Sequence, residues 1–311
     1  MSRGSYSYDP QDTRDTTPRR PHRRHDADVS ETRTNRGSGD TTRNGREAPE
    51  TRDKNIPKPE RADSPRAYYV RDRAYLLRES EVHTLGEVGR FRIVAPRDLA
   101  KHGYARDSAR MERDITRLKE QSLLTEKTLE TSQRKTLRVL TLTKEGQRLL
   151  KNTNRLPEDQ AVYHGLVKPR EAKHDADLYR LYHKEADRIE RAGGRPLRVI
   201  LDYELKRDLN RDLAKLGPEK DNPDAKELIA EKHMLRVVNG KIPVPDLRIE
   251  YETAQHELSR VDLELATRHY RPRGLAAKAK AGFALYSRPE DASRLRRILN
   301  DQDLTAGILT L

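Results

Sequence analysis

Three carboxylates near the C-terminal end of the chain, Asp246, Asp262 and Glu264, have the types and spacing to hold a hard divalent cation. They stand in two runs, IPVPDLRIEYE (242–252) and HELSRVDLELAT (256–267), that alternate apolar and polar residues at period two, the signature of paired strands. Each run sets an acid among branched apolar neighbours, where an uncompensated charge is costly. Asp246 follows Pro245, which holds its backbone extended. Asp262 and Glu264 are two apart, so in a strand they leave the same face. Mg2+ or Mn2+ takes carboxylate oxygens at about 2.1 Å, and two facing strands can supply them. The competing reading is an ordinary hairpin with acids on its wet side.

Positioning such acids takes a folded domain, and composition says where to seek one. Of 311 residues, 33% are hydrophobic and 37% charged, a balance that requires some segment to carry charge without a core. Residues 1–65, rich in Arg, Asp, Thr, Ser, Pro and Gly, are expected to be a disordered charged tail. The formal charge is +13, with about +2 in that tail, about +7 over 66–160 and about +4 in the remainder. A basic middle segment points to a polyanionic partner. There is no cysteine, hence no disulfide, thiolate nucleophile or cysteine-type zinc site. No apolar run reaches membrane-spanning length and no signal-peptide core is present, so the expected location is the cytoplasm without membrane contact. The ten histidines include no pair at four-residue spacing, and no glycine-rich phosphate loop occurs, which disfavours zinc proteases, ATPases and nicotinamide enzymes.

The middle segment, 66–152, reads as a winged helix-turn-helix. Apolar residues recur at three and four through VRDRAYLLRESEVHTLGEVGRFRIV. A short helix opens at Pro96 and ends at Gly103, and a third follows Asp107 or Ser108. In that helix Met111, Ile115 and Leu118 form an apolar stripe, while Arg110, Arg113 and Arg117 share another face. Two strands then flank a polar turn, 130–135, before helix KEGQRLLK. The expected partner is double-stranded DNA, with Arg106, Arg110, Arg113 and Arg117 at the groove and Arg134 and Lys135 of the wing on phosphate. The same module also serves for dimerisation, so a homodimer is the competing use.

Residues 153–172 read as a linker and 173–311 as a second domain. It comprises a helix from His174 to about Ala192 closed by Gly193 and Gly194, a strand LRVILDYELK with Glu204 near its end, a charged helical stretch over 207–232, the two acid-bearing strands, a helix PRGLAAKAKAGFALYSR opened by Pro272, and a closing strand or helix. His174 and Asp175 read as residues of a helix start, where Asp175 suits the positive end.

With HDADLY at His174, YELK at Tyr203, VPDLRIEYE around Asp246, RVDLELAT around Asp262 and Glu264, and the segment from Lys278 to Tyr286, the chain resembles the replication-relaxation family of plasmids and other mobile elements. The resemblance covers about Tyr68 to Tyr286. It implies an α+β protein in which the winged helix precedes a restriction-endonuclease-like (αβββαβ) domain similar to PD-(D/E)XK nucleases. Asp246 then becomes the acid of the PD pair and Asp262 that of the second motif, Glu264 occupies the usual lysine position, and Lys278, rather than Lys280, is the lysine brought in from the next helix. Glu204 is the added metal ligand. Mg2+ or Mn2+ is implied if the site is active. The implied role is in replication or mobilisation, with replication or conjugation machinery as partners. An idle nuclease-like scaffold, an active endonuclease and a winged-helix transcriptional regulator are the three versions of that function.

Overall fold

Alternation, not helical spacing, decides the first element. Arg66–Val70 (β1) and Arg73–Leu77 (β2) pair antiparallel with Tyr68 opposite Tyr75. Val70, Tyr75 and Leu77 turn inward, and Arg71 makes the turn at φ 52°. The expected helical start is therefore a hairpin, and the first helix, α1 (Glu79–Arg90), begins only after it. The computed structural model describes residues 64–130, 136–166, 168–217 and 222–311; the N-terminal tail reading, Arg134 and Lys135 lie outside them.

Helices α2 (Pro96–Gly103) and α3 (Ser108–Glu120) follow the sequence signals closely. Asp107 accepts a hydrogen bond from the Arg110 amide at 2.9 Å, a side-chain cap on an otherwise unpaired donor. Met111, Ile115 and Leu118 are buried. Strands β3 (Leu124–Glu130) and β4 (Thr136–Leu142) pair antiparallel, and α4 (Lys144–Asn152) is capped by Thr143.

The C-terminal portion is built on a five-stranded mixed sheet. After α5 (Pro169–Arg191), which Gly193 closes at φ +80°, come β5 (Arg195–Leu201), α6 (Asp202–Lys215), α7 (Pro223–Lys232), β6 (Leu247–Glu252), β7 (Leu258–Ala266), α8 (Pro272–Lys280), β8 (Ala284–Ser287), α9 (Pro289–Asn300) and β9 (Ile308–Thr310). The sheet order is β5-β6-β7-β8-β9; the first two junctions are antiparallel and the last two, crossed by α8 and α9, parallel. Period two splits the strands between two cores. Val199, Leu201, Leu247, Ile249, Leu263 and Leu265 pack with Leu178, Tyr179 and Tyr182 of α5. Ile200, Ala266 and Leu285 pack instead with Leu205, Leu209, Leu275 and Leu295 of α6, α8 and α9. The molecule is thus a mixed α+β structure.

Two expected elements change. The strand read through Lys206 stops at Leu201, and Glu204 lies in the first turn of α6; acids at a helix start and the Asp202–Lys206 pair at 2.5 Å favour helix there. The helix from Pro272 ends at Lys280, because Gly282 at φ +88° turns the chain into β8. The last segment supplies both a helix and a closing strand.

Helix α5 also joins the helical portion through a buried polar junction. Glu87 of α1 accepts from the Tyr179 hydroxyl at 2.8 Å, lies 2.9 Å from His183 Nε2, and is bridged by Arg90. His183 stacks on His102 of α2 with centroids 4.4 Å apart. Burial works against charge on Glu87, but Arg90, His183 and Tyr179 outweigh it and hold its carboxyl well below the usual range.

Candidate functional site

The beginning of β6 and the C-terminal half of β7 meet where α5 and α8 approach the same end of the sheet. Asp246 immediately precedes β6, one step beyond the paired Leu247 and Leu263. Its backbone amide donates to Glu264 Oε2 at 3.3 Å, and its Oδ2 accepts from the Leu265 amide at 2.9 Å. From α8, Lys278 Nζ donates to Glu264 Oε2 at 2.8 Å and to the Val244 carbonyl at 2.6 Å. Tyr270, between β7 and α8, donates its hydroxyl to Glu264 Oε1. From α5, His174 Nε2 lies 3.5 Å from Asp246 Oδ1. Three side chains, His174, Tyr270 and Lys278, thus converge on two carboxylates.

Their electrostatics differ. Glu264 is 0% exposed; burial and the neighbouring Asp246 carboxylate push it up to about 7, against the pull of Lys278 and Tyr270. Burial opposes charge on Asp246 as well, but His174, the Leu265 amide and Lys278 prevail and lower it. His174 is raised in return: burial opposes its proton, and Asp246 more than compensates. One lysine and one histidine therefore face two carboxylates, of which Glu264 is fully buried while Asp246, Lys278 and His174 keep part of their surface in solvent.

The sequence reading is rearranged at four residues. Asp262 shares a sheet face with Glu264 as expected, but it is taken by Arg248, its cross-strand partner, through a two-pronged contact at 2.6 and 2.9 Å. Arg248 is only 2% exposed and also donates to the His233 and Met234 carbonyls, so Asp262 neutralises a buried guanidinium and the structure leaves it out of the cluster. Glu264 stands beside Asp246 in its place. Glu204 is paired with Arg198 and accepts from Tyr163 at 3.3 Å, and it makes no contact with Asp246. His174 and Asp175 do not start α5, which begins at Pro169; His174 instead meets Asp246, while Asp175 faces Arg92 at 3.3 Å and is pushed by burial up to about 6. Lys278 joins the cluster as expected, whereas Lys280 is exposed. Tyr270 gave no periodic signal in sequence, since its position follows from the turn between β7 and α8.

On α3, Arg113 and Arg117 are exposed along one face with Arg110, and Arg106 is exposed just before the helix at φ 72°. Arg138 of β4 grips Glu112 of α3 at 3.0 Å and Glu126 of β3 at 2.5 Å, fixing the hairpin against that helix. Among the described residues, no helix is long and apolar enough to cross a membrane. No protein-family model, curated protein or solved structure matches the chain.

Proposed function

We propose that this chain is a DNA-binding, divalent-metal-dependent phosphodiesterase of the restriction-endonuclease-like kind. The observation that carries the reading is Lys278 Nζ at 2.8 Å from Glu264 Oε2, on the oxygen that also accepts from the Asp246 amide. An acid following proline, a second acid on the adjacent strand and a lysine from the next helix form the PD-(D/E)XK set with its lysine displaced. The order α5, β5, β6, β7, α8 and β8, with α6 and α7 inserted between β5 and β6, supports the same resemblance.

The residues present fit Mg2+ or Mn2+. Asp246 and Glu264 offer hard oxygen donors, and a two-carboxylate set leaves room for water and phosphate oxygens, as Mg2+ prefers. When bound, the metal polarises a phosphate oxygen and acidifies water. Asp246 and Glu264 would hold it. Lys278 would then place positive charge beside the pentacoordinate phosphate, where negative charge grows. Tyr270 orients Glu264 through its hydroxyl, and His174 keeps Asp246 ionised.

DNA docking is assigned to the three helices and hairpin, a winged-helix arrangement, with Arg106, Arg110, Arg113 and Arg117 on its open side. The resemblance adds a role in replication or mobilisation of a plasmid or other mobile element. A second reading, a scaffold with an idle site, draws on one feature: both Glu264 oxygens are already occupied, by Tyr270 and by Lys278 with the Asp246 amide. Supercoiled plasmid incubated with the protein and Mg2+ or Mn2+ separates the two. Nicking that Asp246→Ala and Lys278→Ala both abolish supports the phosphodiesterase; retained DNA binding without nicking in any of the three proteins supports the scaffold.

A further inference from the structure

A cationic pocket lies directly behind the candidate site. Arg268, His269, Tyr270, Arg271, Pro272 and Arg294 line a hollow of about 530 Å3 where the chain leaves β7, enters α8 and is flanked by α9. It has three arginines and a histidine in its wall and no carboxylate. Among the described residues, no carboxylate forms an ion pair with Arg268, Arg271 or Arg294; the polar contact of the group is Arg268 Nε with His269 Nε2 at 3.4 Å. The contrast with a second groove, about 1200 Å3, is instructive, because there Arg92, Lys151 and Arg207 share the wall with Glu158, Asp159 and Glu204. Arg268, His269, Arg271 and Arg294 are exposed, and positive charges gathered there without counter-charges favour an anion among them. The positive end of α8, which starts at Pro272, points the same way.

The second observation is where the pocket ends. Tyr270 lines it and donates its hydroxyl to Glu264. One side chain therefore forms part of the hollow's wall and touches the candidate metal-binding carboxylate.

We infer that this pocket binds a backbone phosphate of the nucleic-acid strand whose neighbouring phosphate occupies the site at Asp246 and Glu264. The inference rests on the proposed phosphodiesterase reading for the identity of the ligand, while the pocket itself is defined by its own residues. Guanidinium forks suit phosphate oxygens in two-pronged geometry. A phosphate held there fixes the register of the strand relative to Lys278, so the pocket would set which bond is presented. The phosphate is either internal to a strand or a 5′-terminal monoester, and the two sources are separable.

The test is fluorescence anisotropy in EDTA with the full chain, using one duplex carrying 5′-hydroxyl ends and the same duplex carrying 5′-phosphates, each titrated over a range of salt. Arg271→Ala/Arg294→Ala is compared with wild type and with Arg271→Lys/Arg294→Lys, and circular dichroism melts check folding. The expected result is that the alanine pair flattens the log–log salt slope by about two units, weakens binding about 10-fold or more, and the lysine pair recovers much of both. An equal loss on both duplexes assigns an internal phosphodiester; a loss confined to the phosphorylated duplex assigns a terminal phosphate. Unchanged slope and affinity in the alanine pair, or a wild type that binds neither duplex, overturns the inference. Plasmid cleavage in Mg2+ is scored separately. A pocket-dependent slope in a protein that never cleaves removes the phosphodiesterase and keeps the pocket, whereas cleavage unaffected by the alanine pair, with an unaltered slope, does the reverse.

Discussion

Two buried glutamates, Glu87 at the junction of α1 with α5 and Glu264 in the sheet, are close to equal in burial and shifted in opposite directions. Glu87 has an arginine, a histidine and a tyrosine hydroxyl around it and no acid in contact; it keeps its charge. Glu264 has a lysine and a tyrosine hydroxyl, but burial and then the Asp246 carboxylate beside it shift it toward the proton. A fully compensated buried charge is a fastener. An under-compensated one is held toward its neutral form, and that difference separates the two glutamates.

The sharpest way to break that comparison is to remove each acid in turn. Glu87→Ala strands Arg90 in a dry junction and is expected to cost about 3–5 kcal/mol in urea melts. Glu264→Gln in metal-free protein is expected to leave stability unchanged or higher, because it removes the repulsion with Asp246. Equal losses in the two variants would erase the distinction. Next in size is Lys278→Ala, which should lower Mg2+-dependent cleavage about 100-fold or more with little change in duplex affinity, measured as single-turnover nicking beside anisotropy.

The effect of pH follows from the same contrast. The Glu264 carboxyl is raised above its ordinary 4.5, so its contribution to stability is present at acid pH and is lost as pH rises through about 7. Asp175, raised from 3.8 to about 6, and His174, raised above its ordinary 6.5, act in the same direction. Metal-free protein should therefore lose about 1–3 kcal/mol between pH 5 and about pH 8 from these groups. Glu264→Gln should flatten that decline, and Mg2+ should reverse it by favouring the ionised acids; a decline that neither change alters would count against the assignment. Glu87 has the opposite sign, since its lowered carboxyl makes its contribution fade as pH falls below about 4.5. The smallest effect is expected at Arg113→Ala, within about 0.5 kcal/mol in stability. Its mark is a salt slope for duplex binding shallower by about one unit.

What could be read from sequence was whatever local chemistry fixes. Pro96, Gly103, Asp107 and the Met111, Ile115, Leu118 stripe delimit α2 and α3 without help from the rest of the chain. The alternation around Asp246 and Glu264 gave a strand pair with acids among apolar residues. The choice between Asp262 and Glu264 was not local: both leave one face of β7, and only the cross-strand partner Arg248 claims the first of them. The β1–β2 hairpin was hidden because RAYYVRDRAYLLR satisfies both a three-and-four spacing and an alternation, and its turn holds Arg71 in a left-handed conformation without glycine or asparagine to announce it. Tyr270 and the contact of His174 with Asp246 belong to the meeting of distant segments, which no window of sequence contains.

Helix α5 carries a further implication. Along its 23 residues it presents His174 to Asp246, Asp175 to Arg92, Tyr179 and His183 to Glu87, and its apolar stripe to β5, β6 and β7. It works as a shared axle, so the chain cannot be treated as two interchangeable cassettes. A fragment ending near residue 160 would bare Phe91 and leave Glu87 and Arg90 without Tyr179, Tyr182 and His183, while the complementary fragment would expose the tyrosines of α5. Grafting either half onto another protein would require carrying this helix and recreating what lies on its other side.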